Sequence, residues 1–265
     1  MARTSSRPSN GFTLSKWYAD VIDAQGNGLI VYSGSLAWRS IALSYSNVLR
    51  FSSDGKVTNK VSFSREFSVN HSDHSLSINA KNFDGKWLPS LDGIAHTLLE
   101  TDKGNIHWDC RLPLAAATVT YKGETYHGPG YAEILDMSLK PWDFAIDELY
   151  WGRFLSADVS VIWIEWRGPI PRKWLYVNGS LVTEFSLSEN EISFGNSCLR
   201  FHRKQVLRSG ALLSTVFQKF GWLKALFPLK ILLTDETKWV SAAGFTHEGK
   251  QYDGWSIFEK VKWLR

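Results

Sequence analysis

Along most of this chain, apolar residues return at every second position rather than at helical spacing. In "HSLSINA" (74–80), Leu76 and Ile78 share one face while Ser75, Ser77 and Asn79 share the other, the pattern of a half-buried strand. "GLIVYSGSLAWRSIALSYSNVLRF" (28–51) offers further runs rich in Val, Ile, Tyr and Trp, with turn residues between them. Turn signals recur at Asp23–Gly28, Ser53–Gly55, Asp84–Gly85, Asp102–Gly104, Lys122–Gly123, Asn178–Gly179 and Glu248–Gly249. Short strands punctuated in this way predict an all-β protein, mostly antiparallel, built as barrels or sandwiches.

Two segments depart from simple alternation. "VSVIWIEWRG" (159–168) is apolar on both faces, with Val159, Val161, Trp163 and Glu165 on one and Ile162, Ile164 and Trp166 on the other. Such a strand is central and covered on both sides, as at a seam between two β halves. "SGALLSTVFQKFGWLKALFPLK" (209–230) spaces Leu212, Val216 and Phe220 at helical intervals, and Pro228 would end the turn. It predicts one short helix over 209–228. Three readings of this basic segment stay open: packing on the β core, a lid over a ligand pocket, or contact with a membrane surface without crossing it.

The chain divides naturally near Met137–Pro141. The expected organisation is a loose tail over 1–10, one β domain over 11–138 and a second over 139–265, each sized for a lipocalin-like barrel.

At 265 residues, 44% hydrophobic and 21% charged, the composition is that of a soluble globular protein with a substantial core. Thirteen Trp, fifteen Phe and nine Tyr make the chain unusually aromatic; they fit the large cores of an aromatic-rich β protein, and a few of them the lining of a cavity for flat or greasy ligands. The net charge of +4 is spread without a Lys/Arg run, so nucleic acid is not an expected partner. Cys110 and Cys198 form no CxxC and are expected as reduced thiols. The polar start "MARTSSRPSNGF" is neither a secretory signal nor an anchor, and the expected location is cytoplasmic. Nothing in the sequence addresses the oligomeric state.

No P-loop, dinucleotide fingerprint, nucleophile elbow or zinc helix is present. His71 and His74 lie in a polar turn, and His247, His96 and His107 have no ligand set nearby, so neither a metal nor another cofactor is expected. Chemistry concentrates instead in "HGPGYAEILDMSLKPWDFAIDELYWGRF" (127–154), which gathers His127, Tyr131, Glu133, Trp142, Trp151 and Arg153. In an extended chain Tyr131, Glu133 and Leu135 share a face. A carboxyl thus sits between apolar neighbours.

A Gly-Tyr-x-Glu strand, a proline-led loop and an aromatic-Trp-Gly-Arg strand make this region resemble the lipocalin-like superfamily of carotenoid 1,2-hydratases, tocopherol cyclases and AttH-type proteins. "KWYADVIDAQGNGLIVYSGSL" (16–36), "ETKWVSAAGF" (236–245) and "GWSIFEKVKW" (254–263) fit the same likeness. The resemblance implies two tandem calycin-type β domains and an apolar cavity for an isoprenoid- or polyketide-like molecule. It further implies a carboxylic acid that protonates a carbon–carbon double bond, leading to hydration, cyclisation or isomerisation. That acid corresponds to Glu133, with Tyr131 beside it and His127 and Trp151 around the same cavity. The hydratase pattern carries Asp where this chain has Glu133, a departure of one methylene.

Such a reaction needs Glu133 neutral, hence a pKa raised by burial above its free value of about 4.3. Trp142, Trp151, Trp163 and Tyr131 would steady a developing cation through their π faces. If Arg153 instead reaches Glu133, the carboxylate stays ionised and the pair is a structural anchor. Glu165, near Trp163 and Arg167, carries the same ambiguity. A templated cycloaddition, a non-catalytic lipid or pigment carrier, and an interaction protein with a purely structural aromatic core are the other readings.

Overall fold

The computed structural model describes residues 11–211 and 232–263. The sequence-predicted tail over 1–10 and most of the predicted helix, from 212 on, lie outside these residues, while 209–211 end a β-strand.

The first sheet holds β1 (Phe12–Ile22), β2 (Gly28–Trp38), β3 (Ile41–Phe51), β4 (Val57–Ser62) and β5 (Ser68–Ser72). It continues with β6 (Ser75–Ala80), β7 (Phe83–Pro89), β8 (Ile94–Thr101), β9 (Gly104–Tyr121) and β10 (Glu124–Met137). A 3-10 turn over Pro141–Asp143 leads to the second sheet, which opens with β11 (Glu148–Leu155), β12 (Ser160–Arg167) and β13 (Arg172–Val177). There follow β14 (Ser180–Val182), β15 (Ser186–Leu187), β16 (Glu191–Phe194), β17 (Ser197–Ala211), β18 (Asp235–His247) and β19 (Lys250–Lys262).

All pairings are antiparallel. The first sheet runs β4-β3-β2-β1-β10-β9-β7-β6-β5, with β8 alongside β9, and the second runs β14-β13-β12-β11-β19-β18-β17-β16-β15. The two orders correspond strand for strand. In each, the first strand pairs with the last, curling the meander into a half-barrel.

Side-chain alternation sends residues into three cores. Val21, Leu76, Trp87 and Val119 fill the first half-barrel, and Val161, Trp163, Leu175 and Phe245 fill the second. The third core is shared: Tyr18, Trp108 and Tyr131 meet Trp151, Ile162, Ile164 and Tyr176 where the half-barrels pack face to face. β12 is apolar on both faces because one face serves the inner core and the other the shared one. Polar bonds cross the same seam, from Ser160 Oγ to the Pro113 carbonyl at 2.7 Å and from Arg172 Nη1 to the Leu98 carbonyl at 2.8 Å. Cys110 and Cys198 are free thiols. No helix among the described residues is long and apolar enough to cross a membrane.

Gly152 shows how tightly β11 is packed. A Cβ there would lie 2.6 Å from the Phe258 Cβ and closer still to the Trp163 ring. Gly152→Ala should therefore cost about 1–3 kcal/mol by overpacking. The effect is read as a lower urea midpoint at unchanged slope; an unmoved midpoint would mean the ring yields freely.

Candidate functional site

The equivalent central strands β1 and β11 face each other across the shared core. Tyr18 on β1 is paired in register with Tyr32 on one side and Glu133 on the other. Trp151 on β11 is paired with Glu259, which is in turn opposite Lys238. The rings of Tyr18 and Trp151 meet edge to face at 5.1 Å. Glu133 and Glu259 thus occupy corresponding places, each next to the aromatic of its own central strand.

Glu133 is 6% exposed. Tyr131 Oη donates to its Oε2 at 2.6 Å and Trp108 Nε1 donates to the same oxygen at 2.5 Å. Both donors end on one atom, and among the described residues nothing is bonded to Oε1. Burial pushes the Glu133 carboxyl above its usual range, outweighing the two hydrogen bonds and the charge of Lys16. When the group is neutral, Oε2 acts as the carbonyl-type acceptor for both donors, and the proton belongs on Oε1.

Arg153 does not neutralise this carboxyl. Its guanidinium forks onto Asp20, Nε to Oδ2 at 3.1 Å and Nη2 to Oδ1 at 2.7 Å, with both side chains fully buried. Nη1 donates to the Trp255 carbonyl at 2.8 Å, and Tyr18 Oη donates to Asp20 Oδ2 at 2.7 Å. All three Arg153 donations are therefore spent on one bidentate partner and one carbonyl.

A second polar group lies beside the first. Lys238, 1% exposed, is ion-paired with Glu259 and stands 3.9 Å from Glu236. Its Nζ also lies 5.4 Å from the Trp151 ring, 5.9 Å from Tyr18 and 6.0 Å from Tyr32, within cation–π range. Burial pushes Glu259 upward, but the charges of Lys238 and Lys16 prevail and hold it below the usual range. Glu236 is raised, first by burial and then by the charge of Glu259. The two corresponding glutamates are pushed in opposite directions, the environment in which one carboxyl can give a proton while another takes one.

The other residues singled out from the sequence distribute unevenly. Tyr131, Trp151 and Arg153 share the core with Glu133. Trp142 packs on Trp38 at 4.9 Å and Phe12 at 6.0 Å, on the border of that core. Trp163 belongs to the inner core of the second half-barrel, against Phe201 and Phe258. Glu165, on the same face of β12, is bonded through both oxygens to Arg167. His127 is exposed, bonded to Thr118 and bordering an outer groove of about 380 Å³. It shares strand parity with Glu133 but lies about 20 Å further along β10, in a groove that Ala157, between β11 and β12, also lines. Among the described residues no cluster of three or more His, Cys, Asp or Glu is placed to hold a metal.

Sequence reasoning missed Tyr18, Trp108, Lys238 and Glu259. Glu259 carried the same signal as Glu133: Ile257, Glu259 and Val261 alternate as Tyr131, Glu133 and Leu135 do.

Two curled antiparallel half-barrels in tandem, packed face to face, define a lipocalin-like fold. No family model and no curated protein sequence matches the chain. Among solved structures, an AttH-like protein of Nitrosomonas europaea is 12% identical with a TM-score of 0.56, covering 98% of this chain and 95% of that one. CghA, solved with Sch210972, is 9% identical with a TM-score of 0.57 over 96% and 89% of the two chains. Kievitone hydratase of Nectria haematococca is 10% identical with a TM-score of 0.54 over 97% and 91%. These likenesses extend over nearly the whole chain and establish its fold.

Proposed function

We propose that the protein binds a hydrophobic, isoprenoid- or polyketide-like molecule between its half-barrels and acts on it as an acid. Glu133 gives its Oε1 proton to a carbon–carbon double bond. The resulting cation is trapped by water, by an internal nucleophile or by loss of a neighbouring proton, giving hydration, cyclisation or isomerisation. Glu259 is the acceptor of the departing proton, and exchange with solvent resets both groups. The rings of Tyr18, Tyr131 and Trp151 steady the positive charge, worth about 0.5–2 kcal/mol each. Kievitone hydratase and CghA show that this fold accompanies a named hydratase and a complex with a small molecule; the reading for this chain rests on its own residues.

The observation that carries it is the pair of donors on Glu133 Oε2 with Arg153 committed to Asp20. A passive carrier of apolar ligands has no use for Glu133, Glu236, Lys238 and Glu259 in its core, since burying charge is costly. Native mass spectrometry of freshly purified protein tests the reading. A co-purified hydrophobic small molecule should be retained by Glu133→Gln in unconverted form, while wild type releases a product differing by water or by rearrangement. Identical bound species in both proteins would favour the carrier.

A further inference from the structure

A hollow of about 290 Å³ opens on the first half-barrel, lined by β3, the β4–β5 connection and the turns β6–β7 and β9–β10. Its floor is aromatic. Phe67, Phe83 and Tyr121 line it and also belong to the inner core of that half. Phe83 meets Phe67 edge to face at 5.2 Å and lies tilted against Tyr121 at 6.0 Å. None of the lining residues belongs to the shared core, so this hollow is separate from the acid site proposed above.

The rim is basic. Lys60, Lys81 and Lys122 line the opening together with one carboxylate, Glu66, which lies 3.8 Å from Lys60. Three cations against one anion leave a positive surplus. Backbone bonds fix where that surplus stands: the Lys122 N–H donates to the Asn82 carbonyl at 3.0 Å, joining the two turns that carry Lys81 and Lys122. On the other side, buried Asn47 donates through Nδ2 to the Lys60 carbonyl at 2.8 Å. Lys122 Nζ lies 5.3 Å from the centre of the Tyr121 ring, so its charge stays beside the floor.

An aromatic floor under a positive rim selects a ligand by both of its ends. A flat apolar body gains by covering the rings. A hydrocarbon leaves the lysines unused, and a cation meets like charge. The volume lies at the small end of the range for ligand pockets, which keeps the body small. From this juxtaposition we infer that the hollow is a second binding site, and that its ligand is a small aromatic carboxylate. The ring lies against Phe67, Phe83 and Tyr121, and the carboxylate faces Lys81 and Lys122. This site is independent of the acid chemistry at Glu133 and stands or falls separately from it.

Three probes of one skeleton test it: 2-naphthoate, 2-naphthylmethanol and 2-naphthylmethylamine, titrated into the full chain and followed by backbone amide shifts. Wild type should bind the acid about tenfold more tightly than the alcohol, as a few exposed ion pairs allow, and the amine most weakly. Rising salt should narrow the preference. The largest shifts should fall on residues 80–83 and 121–122. The double variant Lys81→Gln/Lys122→Asn removes two cations from exposed turns, and Asn tolerates the left-handed backbone of Lys122, whose φ is 52°. It should bind the alcohol within about twofold of wild type and lose most of the preference for the acid. Equal binding of acid and alcohol by wild type, a preference indifferent to salt or retained in the folded variant, or shifts centred elsewhere overturns the inference. Failure of all three probes to bind overturns it as well.

Discussion

Arg153→Met should destabilise the protein by about 3–5 kcal/mol, the cost of leaving a buried charge without its partner. Asp20 would keep its Tyr18 hydrogen bond but lose both guanidinium contacts in a place where neither partner is exposed. Asp20→Asn should fall in the same range, because Arg153 would then be the unpaired charge. The double variant Asp20→Leu/Arg153→Met is the informative member. It removes both charges and fills the space with apolar groups, and such replacements are often neutral or stabilising. Its loss should be smaller than the sum of the single losses, with a coupling of up to about 3 kcal/mol. Urea unfolding of the four proteins gives the cycle. Single losses below about 1 kcal/mol would show that water reaches the pair. Hydrogen exchange should locate the damage in β1 and β11, since the pair links these strands across the shared core while the other ladders keep their bonds.

How much of this was legible beforehand depends on whether local periodicity contains it. Alternation was enough to place Leu76 and Ile78 inward on β6 and to put Glu133 on the buried face beside Tyr131. It also marked β12 as covered on both sides. Because both faces of β12 are apolar, the same pattern could not say which one looks into the shared core, so Trp163 and Glu165 read as site neighbours although they face the other way. For His127, parity gives the face of β10 but not the distance from Glu133 along it, and the residue stands exposed in an outer groove. The Asp20–Arg153 pair spans 133 positions, and nothing local ties those two residues together. A comparison of the halves comes closer. "WYADVI" at 17–22 and "YWGRFL" at 150–155 place Tyr18 with Trp151 and Asp20 with Arg153 at the same steps of equivalent strands.

Glu133→Gln should separate catalysis from stability because the two respond to the same proton in opposite senses. Removing a positioned general acid should lower turnover of the native substrate by about 10²–10⁴-fold. In wild type, turnover should fall as pH rises through the elevated Glu133 value, since the acid is then spent. Stability follows the sign of the shift. The folded state holds this proton more tightly than the unfolded chain, so the contribution of Glu133 is fully present below the ordinary carboxyl value of 4.5 and is lost as pH rises through the raised one. Gln stays neutral throughout. The variant should therefore gain on wild type in unfolding free energy as pH rises through that window, with the gain levelling off above it. A structural carboxylate, held ionised by its donors, demands the reverse: Gln would be the less stable protein at neutral pH and the gap would close in acid. Parallel urea titrations from acid to neutral pH distinguish the slopes. A variant that loses turnover while gaining relative stability identifies Glu133 as the proton donor, for only a carboxyl kept neutral against solvent gives both at once.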